Sequence, residues 1–159
     1  MSTTAVTTGQ VEQFLAGRRL AVVGVSGEKS SFGTTVYRAF RDHGYDAVPV
    51  HRTVTEVDGQ TCYPDVTAVP GTLDGVVVMV GQAAALDVVD ACARHGVPRV
   101  WLFKGLGAPG AVSPEAVARC EAFGIDVVAG ACPLMFLEPV GWFHRIHRAA
   151  RRRTSSLRT

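Results

Sequence analysis

Short apolar runs alternate along this chain with stretches in which apolar residues recur every three or four positions. Leu20–Val25, Asp46–Val50, Gly75–Val80, Arg99–Phe103 and Ile125–Ala129 read as five strands. Between them, Thr34–His43 carries Val36, Ala39 and Phe40 at helical spacing and is stopped by Gly44. Gln82–His95 is a second helical stretch, ended by Gly96, and Ser113-Pro114 opens a third that Gly124 closes. Val11–Ala16 predicts a short helix ahead of the first strand, and Phe136–Arg151 a final one. His51–Thr72 is irregular, with Asp-Gly, Tyr-Pro and Pro-Gly turn signals. The unbroken apolar character of Gly75–Val80 suits a strand buried on both faces of a parallel sheet.

Strands and helices in alternation predict an α/β fold: a Rossmann-like, doubly wound, parallel five-stranded sheet with helices on both faces and right-handed crossovers. A ligand then sits at the carboxyl ends of the strands, near the point where strand order reverses. Those ends fall at Val25-Ser26, Val50–Arg52, Val80-Gly81, Phe103–Gly105 and Gly130–Cys132, all on one edge. Residues 1–140 form the domain, and 141–159 the end of the last helix and a basic tail.

Composition narrows the class. A chain of 159 residues can bury a core without disulfides or metals. Its 47% hydrophobic and 19% charged content is that of a globular protein. No apolar run approaches a membrane span, and MSTTAVTTGQVEQ has neither the basic nor the apolar region of a signal peptide. Cys62, Cys92, Cys120 and Cys132 lack C-x-x-C spacing and read as reduced thiols. A cytoplasmic protein without a membrane partner is expected. The net charge of +2 conceals an asymmetry, because residues 141–159 hold six arginines and no acid. With no aromatic residue after Phe143, the tail reads as a solvated helix end, and nucleic acid is not an expected partner.

The chemistry begins at residues 20–33, LAVVGVSGEKSSFG. A strand feeding a glycine turn and a helix start brings backbone N–H groups and a positive dipole end to a diphosphate. The dinucleotide pattern G-x-G-x-x-G is absent, since Ser26 and Lys29 stand where its second and third glycines belong. A hydroxyl and an ammonium at those places suit phosphate oxygens. Gly24-Val25-Ser26 also starts a G-x-S-x-G elbow, but Glu28 occupies the last position, so Ser26 reads as a phosphate contact and not a nucleophile. The second strand ends in His51-Arg52, where an NAD site offers a carboxylate to the ribose. That cationic pair favours a ribose carrying an extra phosphate, as in NADP or coenzyme A. Elsewhere the readings are structural. Cys132 is a small buried residue, His144 and His147 are a basic face, His43 and His95 complement helix ends, and Trp101, Phe103 and Phe123 are core.

Taken in order, GVSGEKSSFG, PVHR, TCYPDV, Gly75–Val80, VWLFKG and GACPLMF resemble the small stand-alone CoA-binding proteins. The same domain opens the alpha subunit of succinyl-CoA synthetase. The resemblance runs from about Arg18 to Phe136. It implies that Gly24, Val25, Ser26, Lys29, Phe32 and Gly33 line the diphosphate. It further implies that Arg52, beside His51, approaches the phosphorylated ribose, and that Val80, Gly81, Phe103 and Lys104 flank the adenine or pantetheine. Two departures stand out: His51-Arg52 replaces the family's frequent Asn-Pro, and Phe103-Lys104 its frequent Gln-Pro. The synthetase's second domain, with its phosphorylated histidine, does not fit in this length. The sequence therefore points to a cytoplasmic protein that binds CoA or an acyl-CoA as a non-catalytic binding or regulatory module. The alternative is an NADP-dependent oxidoreductase or redox sensor of the same fold.

Overall fold

Valine-rich runs build the sheet, as β-branched side chains pack well on a pleated surface. The computed structural model describes residues 7–26, 31–104 and 110–137. In chain order its strands are β1 (Arg19–Val23), β2 (Asp46–Val50), β3 (Glu56–Val57), β4 (Gln60–Thr61), β5 (Gly75–Val78), β6 (Arg99–Leu102) and β7 (Asp126–Ala129). The helices are α1 (Thr8–Leu15), α2 (Phe32–Asp42), α3 (Gln82–His95) and α4 (Pro114–Ala122), with 3-10 turns at Val66–Ala68 and Pro133–Met135. Five strands pair in parallel in the order β2-β1-β5-β6-β7. Strand β1 thus has a neighbour on each side, and the winding reverses there.

Alternate residues of each strand feed two cores. Leu20, Val22, Val77 and Trp101 pack with Phe14 of α1 and with Val36, Tyr37 and Phe40 of α2. On the other face Ala21, Val23, Val76, Val78 and Leu102 meet Val89 and Cys92 of α3 and Cys120 of α4. The doubly wound sheet with helices on both faces is therefore the observed fold. Its register has a consequence for function. Val23 is level with both Val50 and Val78, Val78 with Leu102, and Leu102 with Ala129. All five strands end on one line.

Several boundaries differ from the sequence pattern. Strand β1 stops at Val23 because Gly24 turns away with φ +109°. The irregular stretch after β2 contains the β3–β4 hairpin, whose Asp58 and Gly59 have φ of 51° and 78°, as a tight two-residue hairpin turn demands. Arg38 of α2 grips this turn through two bonds to Asp58, at 2.6 and 2.8 Å. Phe136 does not begin a helix but closes the turn Pro133–Met135, its ring 5.7 Å from that of Trp101. The rest of the expected final helix and the basic tail lie outside the described residues. Phe123 caps the end of α4 and is 50% exposed, so it is not a core residue. Among the described residues no helix is long and apolar enough to cross a membrane.

At the opposite edge Asp74 ties the start of β5 to β1. One of its carboxylate oxygens accepts the N–H groups of Arg18 and Arg19 at 2.8 and 2.9 Å. The bonds from Arg19 and Arg18 hold its carboxyl below the usual aspartate range. The ionised form thus favours the folded state. That contribution is complete above the unfolded value of about 3.9 and is lost as pH falls through the lower folded value. Asp74→Asn should lower stability at neutral pH by about 1–2 kcal/mol, with the gap to wild type narrowing in strong acid. Denaturant unfolding across pH checks this, and a gap independent of pH would refute it.

Candidate nucleotide site

The turn after β1 is fixed from three sides. The N–H of Gly24 donates to the carbonyl of Val50 at 3.1 Å. A Cβ on Gly24 would come within 2.6 Å of the Met79 carbonyl oxygen, in a backbone conformation that L side chains rarely adopt. Gly33, buried in the first turn of α2, lies so close to the Gly24 carbonyl that any Cβ there would overlap it. Thr34 completes the clamp: its buried hydroxyl accepts the Ser26 N–H at 3.0 Å and donates to the Ser26 carbonyl at 2.9 Å. The amino end of α2 is therefore pressed against the end of β1.

Beside this turn, on the α3 face of the sheet, lies a cleft of about 520 Å³. That volume is typical of small-molecule sites. Val23 and Gly24 of the β1 end, Val50, His51 and Arg52 of the β2 end, and Val80 after β5 line one side. Pro64, Asp65 and Val66 line another, and Ala84, Asp87, Val88 and Ala91 of α3 the third. The β2 end is held in place by Tyr63, which accepts the His51 N–H at 2.9 Å and donates its own to Pro49 at 3.1 Å. The His51 ring turns back on its loop, with Nδ1 accepting the N–H groups of Thr53 and Val54, each at 3.1 Å. An Nδ1 that accepts leaves Nε2 to carry the ring proton. Arg52 is exposed and has no ion-pair partner among the described residues.

The family described as "CoA binding domain" matches residues 18–138, which include every wall of this cleft. The chain belongs to that family. Its sequence is 26% identical over 127 residues to an ADP-forming acetate–CoA ligase I of Archaeoglobus fulgidus, covering 77% of this chain and 18% of the ligase. The alpha subunit of the Pyrococcus furiosus ADP-forming acetate–CoA ligase II is 24% identical over 128 residues, covering 77% of this chain and 28% of that subunit. The chain thus spans less than a third of either ligase relative. A hypothetical protein from Pyrococcus horikoshii OT3 superposes with a TM-score of 0.75 at 25% identity, covering 85% of this chain and 95% of its own.

Within this CoA binding domain the twelve residues singled out from sequence fall into groups. Gly24, His51, Arg52 and Val80 meet in the cleft. Val25 is fully buried in the α2-side core, and Gly33 and Ser26 support the turn from behind. Gly81 caps the amino end of α3, its carbonyl accepting the Ala85 N–H at 2.9 Å. Phe32 and Phe103 form a separate pair, with ring centroids 5.3 Å apart and Phe32 47% exposed. Lys104 is exposed beside Phe103, its N–H donating to Ala131 at 3.3 Å. Lys29 lies outside the described residues.

Sequence reasoning missed the α3 wall of the domain, where Ala84, Asp87, Val88 and Ala91 looked like an ordinary helix face. It also missed a role for Asp65 and Val66, although they stand in the TCYPDV segment. Asp65 is committed locally, accepting Thr67 N–H at 2.8 Å to cap the short turn.

Three of the four cysteines lie in the core. Burial pushes the Cys62 and Cys92 thiols up, and that of Cys120 up to about 11. Cys132 is half-buried rather than buried. Trp101 holds the turn after β7, its ring N–H donating to the Gly130 and Ala131 carbonyls at 3.1 and 3.3 Å. Among the described residues no group of His, Cys, Asp or Glu side chains could hold a metal ion. His144 and His147 lie outside them.

The contact between Gly33 and Gly24 makes a sharp stability contrast. Gly33→Ala should destabilise the domain by about 1–3 kcal/mol, since neither backbone segment can yield without opening the turn. Gly9, on α1 with open space at its Cβ position, provides the control. Gly9→Ala should stabilise by up to about 1 kcal/mol through helix propensity. Thermal unfolding of both variants reads the difference, and equal behaviour would remove the steric account.

Proposed function

We propose that this domain binds coenzyme A or an acyl-CoA in the cytoplasm and serves as a binding or regulatory module without catalysis of its own. One observation carries the reading: the CoA binding domain match spans the residues that build the cleft, and that cleft holds, at the carboxyl edge of the sheet, an arginine with no ion-pair partner among the described residues. The diphosphate lies along the Gly24–Gly33 turn, where the amino end of α2 supplies partial positive charge. Arg52 takes the phosphate on the ribose. His51, with its Nδ1 engaged in its own loop, shapes that end of the site. Val80, Gly81, Phe103 and Lys104 mark the path along the strand ends toward the pantetheine. The ligases that resemble the domain carry most of their length outside the matched segment, and their activity is not part of this proposal.

Calorimetric titration with CoA, acetyl-CoA, NADP and NAD tests the ligand class. Micromolar CoA binding with silent dinucleotides is the expected result. Tight NADP binding with silent CoA would overturn the reading in favour of an oxidoreductase of the same fold. Arg52→Ala should weaken CoA binding by about 1.5–3 kcal/mol, the range of charge-assisted contacts. Dephospho-CoA, which lacks the ribose phosphate, should be affected much less. Equal losses for the two ligands would remove Arg52 from that contact.

A further inference from the structure

The α3 wall of the cleft carries a carboxylate in an otherwise apolar stripe. Ala84, Asp87, Val88 and Ala91 follow the i, i+3, i+4, i+7 spacing of one helix face, and all four line the cleft. Val66 lines the wall contributed by the segment before β5. Asp87 is exposed and has no hydrogen-bond or ion-pair partner among the described residues, although Arg52 lines the same cleft.

We propose that Asp87 determines base specificity: a purine ring enters the cleft beside α3, and the Asp87 carboxylate accepts a hydrogen bond from the exocyclic amine of adenine. The proposal rests on the CoA-binding reading and deepens it. The cleft carries a cation at the β2 end, Asp65 engaged with Thr67, and on α3 a carboxylate with no partner among the described residues. A phosphate beside Asp87 would set like charges together, so the phosphates go to Arg52 and the glycine turn. The uncharged end of the nucleotide then faces α3. An ionised carboxylate only accepts hydrogen bonds, and the adenine amine is a donor at that end of the ligand. Val66 and Ala91, buried where the turn Val66–Ala68 packs on α3, give the ring an apolar floor. The ribose hydroxyls sit next to the phosphate and so belong to the Arg52 side.

A double-mutant cycle decides the matter without requiring Asp87 to favour binding overall, since removing its charge also relieves repulsion of the phosphates. The probes are adenosine 3′,5′-bisphosphate and the same bisphosphate bearing unsubstituted purine, which lacks the amine. The protein is the full chain, as wild type and as Asp87→Ala. Alanine at an exposed helix position preserves the fold, and a thermal melt verifies it. Wild type should bind the adenine compound about tenfold more tightly than the purine compound, the effect of one charge-assisted hydrogen bond. In Asp87→Ala the ratio should fall to about one. A ratio unchanged by the substitution would overturn the proposal, even if both affinities shift together, because that pattern describes a general charge effect. A wild-type protein that binds neither CoA nor the adenine compound would refute the CoA-binding reading itself, and the base assignment with it. CoA binding together with an unaltered ratio would refute only the role of Asp87.

Discussion

The ligand end of this molecule depends on the alignment of its strands. Val23 sits level with Val50 on one side and Val78 on the other, and the same line continues through Leu102 and Ala129. In a parallel sheet a shift of one residue would send every side chain of a strand to the opposite face. Here both faces are packed, so neither layer of helices tolerates such a slip. The turns that follow β1, β2 and β5 are therefore delivered to one place by the packing of two cores. Only after that placement can a glycine, an arginine and an irregular loop line the same cleft.

The second constraint is close backbone approach. Gly24 and Gly33 belong to different elements, and the space between them has no room for even a methyl group. Their contact brings the amino end of α2 to the sheet edge, and Thr34 fastens to Ser26 through a donated and an accepted hydrogen bond. The loop between β2 and β5 is held differently. Tyr63 pairs with the β2 end, and Arg38 clasps the hairpin turn. Two walls of the cleft thus have independent supports, one steric and one made of polar bonds.

Much of this was legible in the amino-acid sequence. Continuous valine runs marked the strands, and the Ser113-Pro114 and Gly96 signals marked helix ends to within a residue. Strand ends were less legible, because Val25 and Val80 are apolar yet lie past the point where the backbone leaves the sheet. Phe123 misled for a related reason: an aromatic side chain at a helix end faces solvent when the next turn carries the chain away. At the candidate site, Gly24, His51, Arg52 and Val80 were found because strand ends can be read from pattern. The α3 stripe was not, since i, i+3, i+4 spacing is the same whether a helix faces a core or a cleft. The posture of His51 was also hidden, as it depends on two backbone N–H groups that only the folded loop brings to its ring.

The buried thiols bear on how such a protein behaves among small thiols. Cys62, Cys92 and Cys120 are nearly or fully enclosed, and burial disfavours the thiolate of each. Thiol–disulfide exchange requires a thiolate that can reach the sulfur it attacks. These three side chains therefore stay out of that traffic for as long as the fold is closed. None of the three lines the cleft, so a disulfide-bearing small molecule that enters it meets none of these thiols.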